Sequence, residues 1–302
     1  MNLLNLIRWR NLLMIAVVQL LVKYALFPAF VIDTTLSPLN FFLLILATLA
    51  IAAGGYIIND IYDIETDTIN KPNKVIVGKK ITESSANKLY ILFTFIGVCI
   101  GFYLSHKVGR PPFFGLFVII AAALYVYASY LKQIAVAGNI IVSILVSLSL
   151  LIVGVFELIP AMTIENETIQ STMLEVLTDF AIFAFLINFI REIVKDTQDV
   201  DGDHKAGMQT LPILFGKART SKVTMALTLI TIAIIIYYIT TFLYMHVTAI
   251  AYFLIAVVGP LIYIAIKMFT AENSNHFKHI SFMLKIVMIT GMLSMALYRV
   301  IL

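Results

Sequence analysis

Two segments of the sequence each carry three aspartates in the spacing D-x-x-D-x-x-x-D. Their candidate metal ligands are Asn59, Asp60, Asp63 and Asp67 in the first segment and Asp196, Asp199 and Asp203 in the second. Steps of three and four residues bring side chains to one face of an α-helix, because seven residues make about two turns. Three like charges on one face repel each other. The pattern therefore predicts a bound cation at each segment.

Mg²⁺ is the cation that fits these residues, because it prefers hard oxygen ligands and binds through a few carboxylates, waters and substrate phosphate oxygens. If the two clusters face each other, their Mg²⁺ ions would lie on either side of one diphosphate. The metals and nearby basic side chains would neutralise the charge that builds as diphosphate leaves. The candidate basic side chains are Lys74, Lys132, Arg191 and Lys195. The allylic carbocation that remains needs a dry apolar pocket to survive attack by water.

The rest of the chain is suited to lipid. Of its 302 residues 61% are hydrophobic and 13% are charged, whereas a soluble domain averages about 25% charged residues. This composition excludes a soluble enzyme, a disulfide-built secreted domain and a disordered tail. Stretches of about 20 apolar residues predict nine membrane-spanning helices. They lie near residues 11–31, 39–59, 85–105, 112–130, 138–158, 175–197, 223–244, 247–269 and 278–301.

The fold class follows from the lipid environment of these segments. Backbone groups in hydrocarbon must bond within their own segment, so we expect an all-α, polytopic membrane protein. A single domain over residues 1–302 is expected, with charged loops near 60–84 and 198–222. Both loops contain several lysines, whereas residues 157–179 contain five acids and no lysine or arginine. Positively charged loops stay in the cytoplasm. We therefore expect the N-terminus and both motif loops on the cytoplasmic side of the cell membrane, with Leu302 outside.

The two motifs resemble those of the UbiA superfamily of intramembrane prenyltransferases. That family pairs N-D-x-x-D-x-x-x-D after its second helix with D-x-x-D-x-x-x-D after its sixth. The resemblance covers nearly the whole chain and implies nine helices around a central cavity, Mg²⁺ dependence and transfer of a prenyl group from a prenyl diphosphate. It implies that the seven motif residues bind metal. It also implies that Asp60, Asp63, Asp196 and Asp199 take part in catalysis.

Two further stretches are similar to family signatures. Residues 69–76, I-N-K-P-N-K-V-I, resemble I-N-R-P-x-R-P-I with lysine at both arginine positions, which keeps the charge but loses the bidentate fork to phosphate. Residues 127–132 with Gly138-Asn139 resemble Y-S-x-x-L-K and G-N. In family terms Lys132 contacts diphosphate and Asn139 lines the cavity. Tyr127, with Tyr62, is our candidate for stabilising the carbocation through a ring face.

Residues 191–212 are most similar to the branch of digeranylgeranylglyceryl phosphate synthases. Arg191 and Lys195 are candidate diphosphate ligands in this string, although Arg191 is equally suited to pairing with a neighbouring acid. The branch implies geranylgeranyl diphosphate as donor and the hydroxyl of geranylgeranylglyceryl phosphate as acceptor. We expect the protein's partners to be these substrates and membrane lipid, with no nucleic acid.

Three alternatives stay open. Plant-type homogentisate prenyltransferases share much of residues 191–212, so the acceptor is alternatively an aromatic ring of quinone biosynthesis. A membrane terpene cyclase would capture the cation internally, with no acceptor. A cation transporter is the non-enzymatic alternative. It is disfavoured because the acids gather at one membrane face and no repeat of half the chain is visible.

Overall fold

A computed structural model describes residues 2–73 and 75–301, with backbone only for the last two. Over these residues the chain is helical and forms no strand. Nine helices within them are long and apolar enough to cross a membrane, which confirms the all-α class and the predicted number. We number them α1–α9: Trp9–Ala29, Pro38–Tyr62, Glu83–Lys107, Pro111–Ser129, Ala137–Glu157, Glu167–Lys205, Lys217–Phe242, Val247–Phe269 and Ser274–Leu297.

The sixth helix differs most from its predicted bounds of 175–197. It runs for 39 residues, from Glu167 to Lys205. At 1.5 Å per residue it is about 58 Å long, whereas the hydrocarbon layer is only about 30 Å thick. Hydropathy marks the part of a helix that lies in lipid, and this helix continues past that part. The prediction of a loop from residue 198 is therefore wrong as far as Lys205, and Leu211–Phe215 forms a further short helix.

The predicted loop 60–84 also contains helix. The second spanning helix continues to Tyr62, and after a turn at Asp63 the short helix Ile64–Asn70 follows. Irregular chain begins only at Lys71. The first motif therefore lies on two consecutive helical segments joined at Asp63.

The described chain divides into two compact units. Unit 1 comprises residues up to Leu20 together with Val31–Lys132 and Leu148–Thr178. Unit 2 comprises Leu21–Phe30, Gln133–Ser147 and the residues from Asp179 onward. The first aspartate motif belongs to unit 1 and the second to unit 2.

In unit 1, glycines let α2 and α3 pack closely. A Cβ atom at Gly97 would lie 2.5 Å from Ile51 Cγ1 and 2.9 Å from the carbonyl oxygen of Ala47. A Cβ at Gly54 would lie 2.6 Å from Thr94 Oγ1, which agrees with a packing role for Gly54 beside the first motif. The motif end of α2 is thus held against its neighbour by contacts that a larger residue would prevent.

In unit 2, buried polar side chains tie α6 to the first half of α5. Ser147 Oγ donates to the carbonyl oxygen of Ala181 at 2.8 Å. Asn188 Nδ2 donates to Ser143 Oγ at 3.2 Å. A buried polar group is costly without such a partner, so these bonds favour one alignment of the two segments. They set the height of the second motif relative to α5.

Candidate active site

Asp60, the first aspartate of the first motif, is paired with Arg8. Arg8 Nη2 donates to Asp60 Oδ1 at 2.7 Å, and the guanidinium lies 5.1 Å from the centre of the Tyr56 ring. Arg8 lies just before α1 with a φ of 50°, a left-handed backbone that is uncommon for a non-glycine residue. In the sequence, Arg8 is simply a basic residue near the N-terminus. No spacing pattern connects it to Asp60, which is 52 residues away.

Asp63 is paired with Lys132, one of the predicted catalytic residues. Lys132 Nζ donates to Asp63 Oδ1 at 2.6 Å, and the two side chains are only 8% and 18% exposed. Lys132 follows α4 in the single turn Leu131–Gln133, and its ammonium lies 5.9 Å from the centre of the Tyr62 ring. The structure therefore brings together two residues that the two signatures predicted separately.

Asn59 completes the first motif on the last turns of α2. Its Nδ2 donates to Asp63 Oδ2 at 2.5 Å. Its Oδ1 is buried and accepts no hydrogen bond within the described chain. This unsatisfied oxygen belongs to a side chain that is bonded to Asp63 and precedes Asp60 in sequence, and oxygen donors of these types suit a hard cation.

Asp67 lies one turn further along, on the helix Ile64–Asn70. Burial raises the pKa of its carboxyl above the usual value, Lys71 partly offsets this, and Asp63 adds to it. The Lys71 ammonium is 3.9 Å away, at the limit of an ion pair. A cation at this motif would favour the ionised carboxylate of Asp67, because an opposite charge lowers a carboxyl pKa.

The remaining predicted residues of this unit are the aromatic candidates and Lys74. Tyr62 is exposed and its hydroxyl lies 3.2 Å from that of Tyr125. Tyr127 lies half-buried on α4. Lys74 lies outside the described residues. The roles proposed for these side chains stay predictions.

In unit 2, Asp196 is held by Asn139, a residue that the family signature implies lines the cavity. Asn139 Nδ2 donates to Asp196 Oδ2 at 2.8 Å, and Asn139 is only 6% exposed. Asn139 lies in the first turn of α5, where Ser143 Oγ also donates to its carbonyl oxygen at 2.6 Å. The polar contacts between α5 and α6 thus end at the first aspartate of the second motif.

Glu192 holds both predicted basic ligands of the second motif. Lys195 Nζ lies 2.7 Å from Glu192 Oε2, and Arg191 Nη1 lies 3.3 Å from Glu192 Oε1. Arg191 Nε is buried and has no acceptor within the described chain, so one donor of the guanidinium is available to a ligand. From the sequence, Glu192 is expected to lie off the aspartate face as a solvent-facing or supporting residue, and its spacing of three residues to Lys195 is typical of an ion pair on one helix face.

Asp199 and Asp203 lie on the last turns of α6. Gln198 Nε2 donates to Asp199 Oδ1 at 3.2 Å, and Asp203 is buried. Asp201 lies between them in sequence and is exposed, as expected for a residue off the motif face. The helix extension to Lys205 is what places Asp199 and Asp203 on α6 together with Asp196.

Both donor sets fit Mg²⁺ without forming a complete metal cage. In the part of the chain that the structure describes, no three histidine, cysteine or acidic side chains converge as a ready-made metal site. Mg²⁺ does not need such a cage, because it commonly binds through one or two carboxylates, waters and substrate phosphates. Asn59, Asp60, Asp63 and Asp67 would hold it in unit 1. The second motif supplies Asp196, Asp199 and Asp203.

The fold and these donor sets agree with a comparison to known families. The model of the UbiA prenyltransferase family matches residues 16–289. The chain belongs to this family. It is therefore a multi-pass membrane protein of a prenyltransferase family. The family match includes both aspartate motifs and the loops that follow them.

Two curated relatives in this family are digeranylgeranylglyceryl phosphate synthases. The protein from Sulfolobus acidocaldarius is 35% identical over 196 residues, which cover 64% of this chain and 64% of that relative. The protein from Methanosphaera stadtmanae is 30% identical over 252 residues, 82% of this chain and 84% of the relative. The match to the first relative spans just under two thirds of its length.

Solved structures share the UbiA fold. A structure described as a digeranylgeranylglyceryl phosphate synthase has a TM-score of 0.66 and 24% identity, covering 100% of this chain and 98% of that one. A UbiA homologue from Archaeoglobus fulgidus, bound to DMAPP and Mg²⁺, has a TM-score of 0.53 and 16% identity, with 98% and 99% coverage. At these identities the likeness establishes the fold.

Proposed function

We propose that this UbiA family member is a Mg²⁺-dependent prenyltransferase that forms an ether lipid. The donor is geranylgeranyl diphosphate and the acceptor is the free hydroxyl of geranylgeranylglyceryl phosphate. The observation that carries the proposal is the pair of aspartate motifs, each with buried basic or amide partners. The similarity to digeranylgeranylglyceryl phosphate synthases supports the choice of substrates.

The reaction breaks the bond between C1 of the prenyl chain and the diphosphate oxygen, and diphosphate leaves with the electron pair. The acceptor hydroxyl oxygen then bonds to C1 of the allylic cation, and its proton is released. The products are an ether and diphosphate. Bound Mg²⁺ supplies positive charge against the leaving diphosphate.

The chain's own residues have separable tasks in this proposal. The carboxylates of each motif would hold Mg²⁺, and Asn59 would add its unsatisfied oxygen to the first set. Lys132 is paired with Asp63, so its ammonium lies beside a carboxylate that would hold Mg²⁺, where it would contact a diphosphate oxygen. Arg191 offers its buried Nε–H, while Lys195 and Lys74 provide further positive charge. Charge-assisted contacts of this kind stabilise a leaving phosphate more strongly than neutral hydrogen bonds.

The orientation in the cell membrane is part of the proposal. The lysines that follow α2, together with the basic residues at the end of α6 and the start of α7, favour a cytoplasmic position for the motif ends and the N-terminus, with Leu302 outside. Water-soluble diphosphate would then leave on the cytoplasmic side.

An acceptor panel tests the substrates. Purified protein with Mg²⁺ and labelled geranylgeranyl diphosphate is given geranylgeranylglyceryl phosphate, homogentisate or no acceptor, and products are identified by mass. We expect the diether product with the first acceptor alone. Homogentisate prenylation would replace the proposed acceptor, and a hydrocarbon formed without acceptor would indicate a cyclase. Metal-dependent ion flux in liposomes without consumption of the diphosphate would indicate a transporter.

Single substitutions test the site. Asp63→Ala and Asp199→Ala should each lower kcat by about 10²–10³-fold or more, by analogy with the loss of one electrostatic group at a developing anion. The matched controls are Glu65→Ala and Asp201→Ala, which remove exposed carboxylates from the same two segments. Turnover close to wild type in the Asp63 or Asp199 variant would refute the proposed mechanism.

A further inference from the structure

A small pocket that contains several polar side chains lies between the end of α8 and the start of α9 in unit 2. It has a volume of about 140 Å³ and is lined by Tyr263, Lys267, Thr270, His276, His279 and Ile280. The eighth spanning helix ends at Phe269 and the ninth begins at Ser274. The pocket therefore lies where the chain leaves the apolar layer, at the level of the lipid headgroups.

The polar side chains of this pocket are held in place by each other. The Tyr263 hydroxyl lies 3.1 Å from His279 Nε2, and the two rings meet edge to face with centres 6.0 Å apart. The Lys267 ammonium lies 5.6 Å from the centre of the Tyr263 ring. Within the described chain, no carboxylate lies within 4.0 Å of Lys267 Nζ. Its charge is therefore available to an anion.

The surrounding sequence is basic. From Gly259 to Leu297 the one acid is Glu272, whereas the basic residues are Lys267, His276, Lys278, His279 and Lys285. Basic pockets between spanning helices at the membrane interface suit anionic lipid headgroups, and tyrosine is typical of that level. Anion binding is thus favoured by both the contacts and the charge.

The outer surface beside the pocket is apolar. Ile266 and Phe269 on α8 are 62% and 69% exposed. The volume of the pocket suits a phosphate group rather than acyl chains, and these two side chains offer acyl chains a surface along α8. Inorganic phosphate would share the polar contacts but gain nothing from this apolar surface.

We propose that this pocket binds the phosphate of an anionic membrane lipid. Lys267 provides the charge, Tyr263 provides a hydroxyl group, and the lipid chains lie against Ile266 and Phe269. The lining of the pocket includes none of the motif residues, although Ser274 Oγ at the start of α9 donates to the carbonyl oxygen of Gln198, in the second motif segment, at 3.4 Å.

Native mass spectrometry tests this site. Full-length protein in neutral detergent is titrated with phosphatidylglycerol, with phosphatidylcholine of the same acyl chains, or with inorganic phosphate. We expect phosphatidylglycerol to bind more tightly than phosphatidylcholine. Lys267→Gln should lower the affinity for the first bound phosphatidylglycerol about fivefold. This factor corresponds to about 1 kcal/mol for one lysine near an anionic lipid. Lys267→Arg should retain the binding, because it keeps the charge.

The matched control is Lys278→Gln, which removes the same charge from the neighbouring helix without changing the lining of the pocket. It should alter affinity less than twofold. Equal losses in the Lys267 and Lys278 variants would show diffuse attraction and overturn the proposal. Equal binding of the two lipids would do the same. If inorganic phosphate at millimolar concentration displaces the lipid completely, the site is for a free anion instead.

Discussion

The ion pair between Lys132 and Asp63 gives the most direct test of the site's electrostatics. Removing one partner of a buried pair costs about 3–5 kcal/mol, because the other charge is left buried without compensation. The two side chains are 8% and 18% exposed, so we expect the lower end, about 3 kcal/mol, for Lys132→Gln or for Asp63→Asn. The double variant leaves neither charge unpaired. It should therefore lose less than the sum of the single losses, with a coupling energy of about 2 kcal/mol.

The assay is equilibrium unfolding of purified protein in mixed micelles, followed by far-ultraviolet circular dichroism in the presence of EDTA. The control pair is Lys71 and Asp67, whose charged atoms are 3.9 Å apart and whose side chains are 30% and 31% exposed. Its coupling should be below about 0.5 kcal/mol, because the pair is partly exposed and its charged atoms lie at the limit of an ion pair.

The coupling between Lys132 and Asp63 should decrease when Mg²⁺ and pyrophosphate are added, because each group then gains a different partner. If the stability losses of the two single variants in EDTA sum to the loss of the double variant within about 0.5 kcal/mol, the reasoning is refuted. They would mean that this contact contributes nothing to the metal-free protein.

Three further predictions concern other parts of the site and fold. Asn139→Ala removes the amide that donates to Asp196 at 2.8 Å. We expect kcat to fall about tenfold in a prenyl transfer assay. Asn139→Asp should reduce kcat further, because it places a second carboxylate beside Asp196. Gly97→Leu adds side-chain atoms at a position where even a Cβ atom would lie only 2.5 Å from Ile51 Cγ1. The substitution should therefore lower the free energy of unfolding by about 1–3 kcal/mol. An unchanged unfolding midpoint would contradict the close approach of α2 and α3. Since burial raises the pKa of Asp67, its ionised form opposes folding at neutral pH. Asp67→Asn should therefore raise the unfolding midpoint at pH 7, and this gain should disappear as the pH falls through the raised pKa toward the unfolded value.

The helices and their motif faces were predictable from the sequence. A run of about 20 apolar residues has few alternatives to a spanning helix, so the nine segments and the all-α class follow from composition and length. The aspartate spacing is local as well, and it identifies Asp196 and Asp199 as neighbours on one helical segment, whereas the turn at Asp63 divides the first motif between two helices. Hydropathy carries no information about helix that continues outside lipid. The end of α6 at Lys205 was therefore not predicted.

The partners of the aspartates were decided by tertiary structure. Arg8 reaches Asp60 across 52 residues, Lys132 reaches Asp63 across 69, and Asn139 reaches Asp196 across 57. Spacing along the chain specifies which residues share a helix face, because the helical repeat is fixed by backbone geometry. Which helix end lies beside that face depends instead on side-chain packing between helices, such as the close approach that Gly97 allows. The sequence by itself thus determined the helices and the carboxylates, and only the packing decided which positive and amide groups hold those carboxylates.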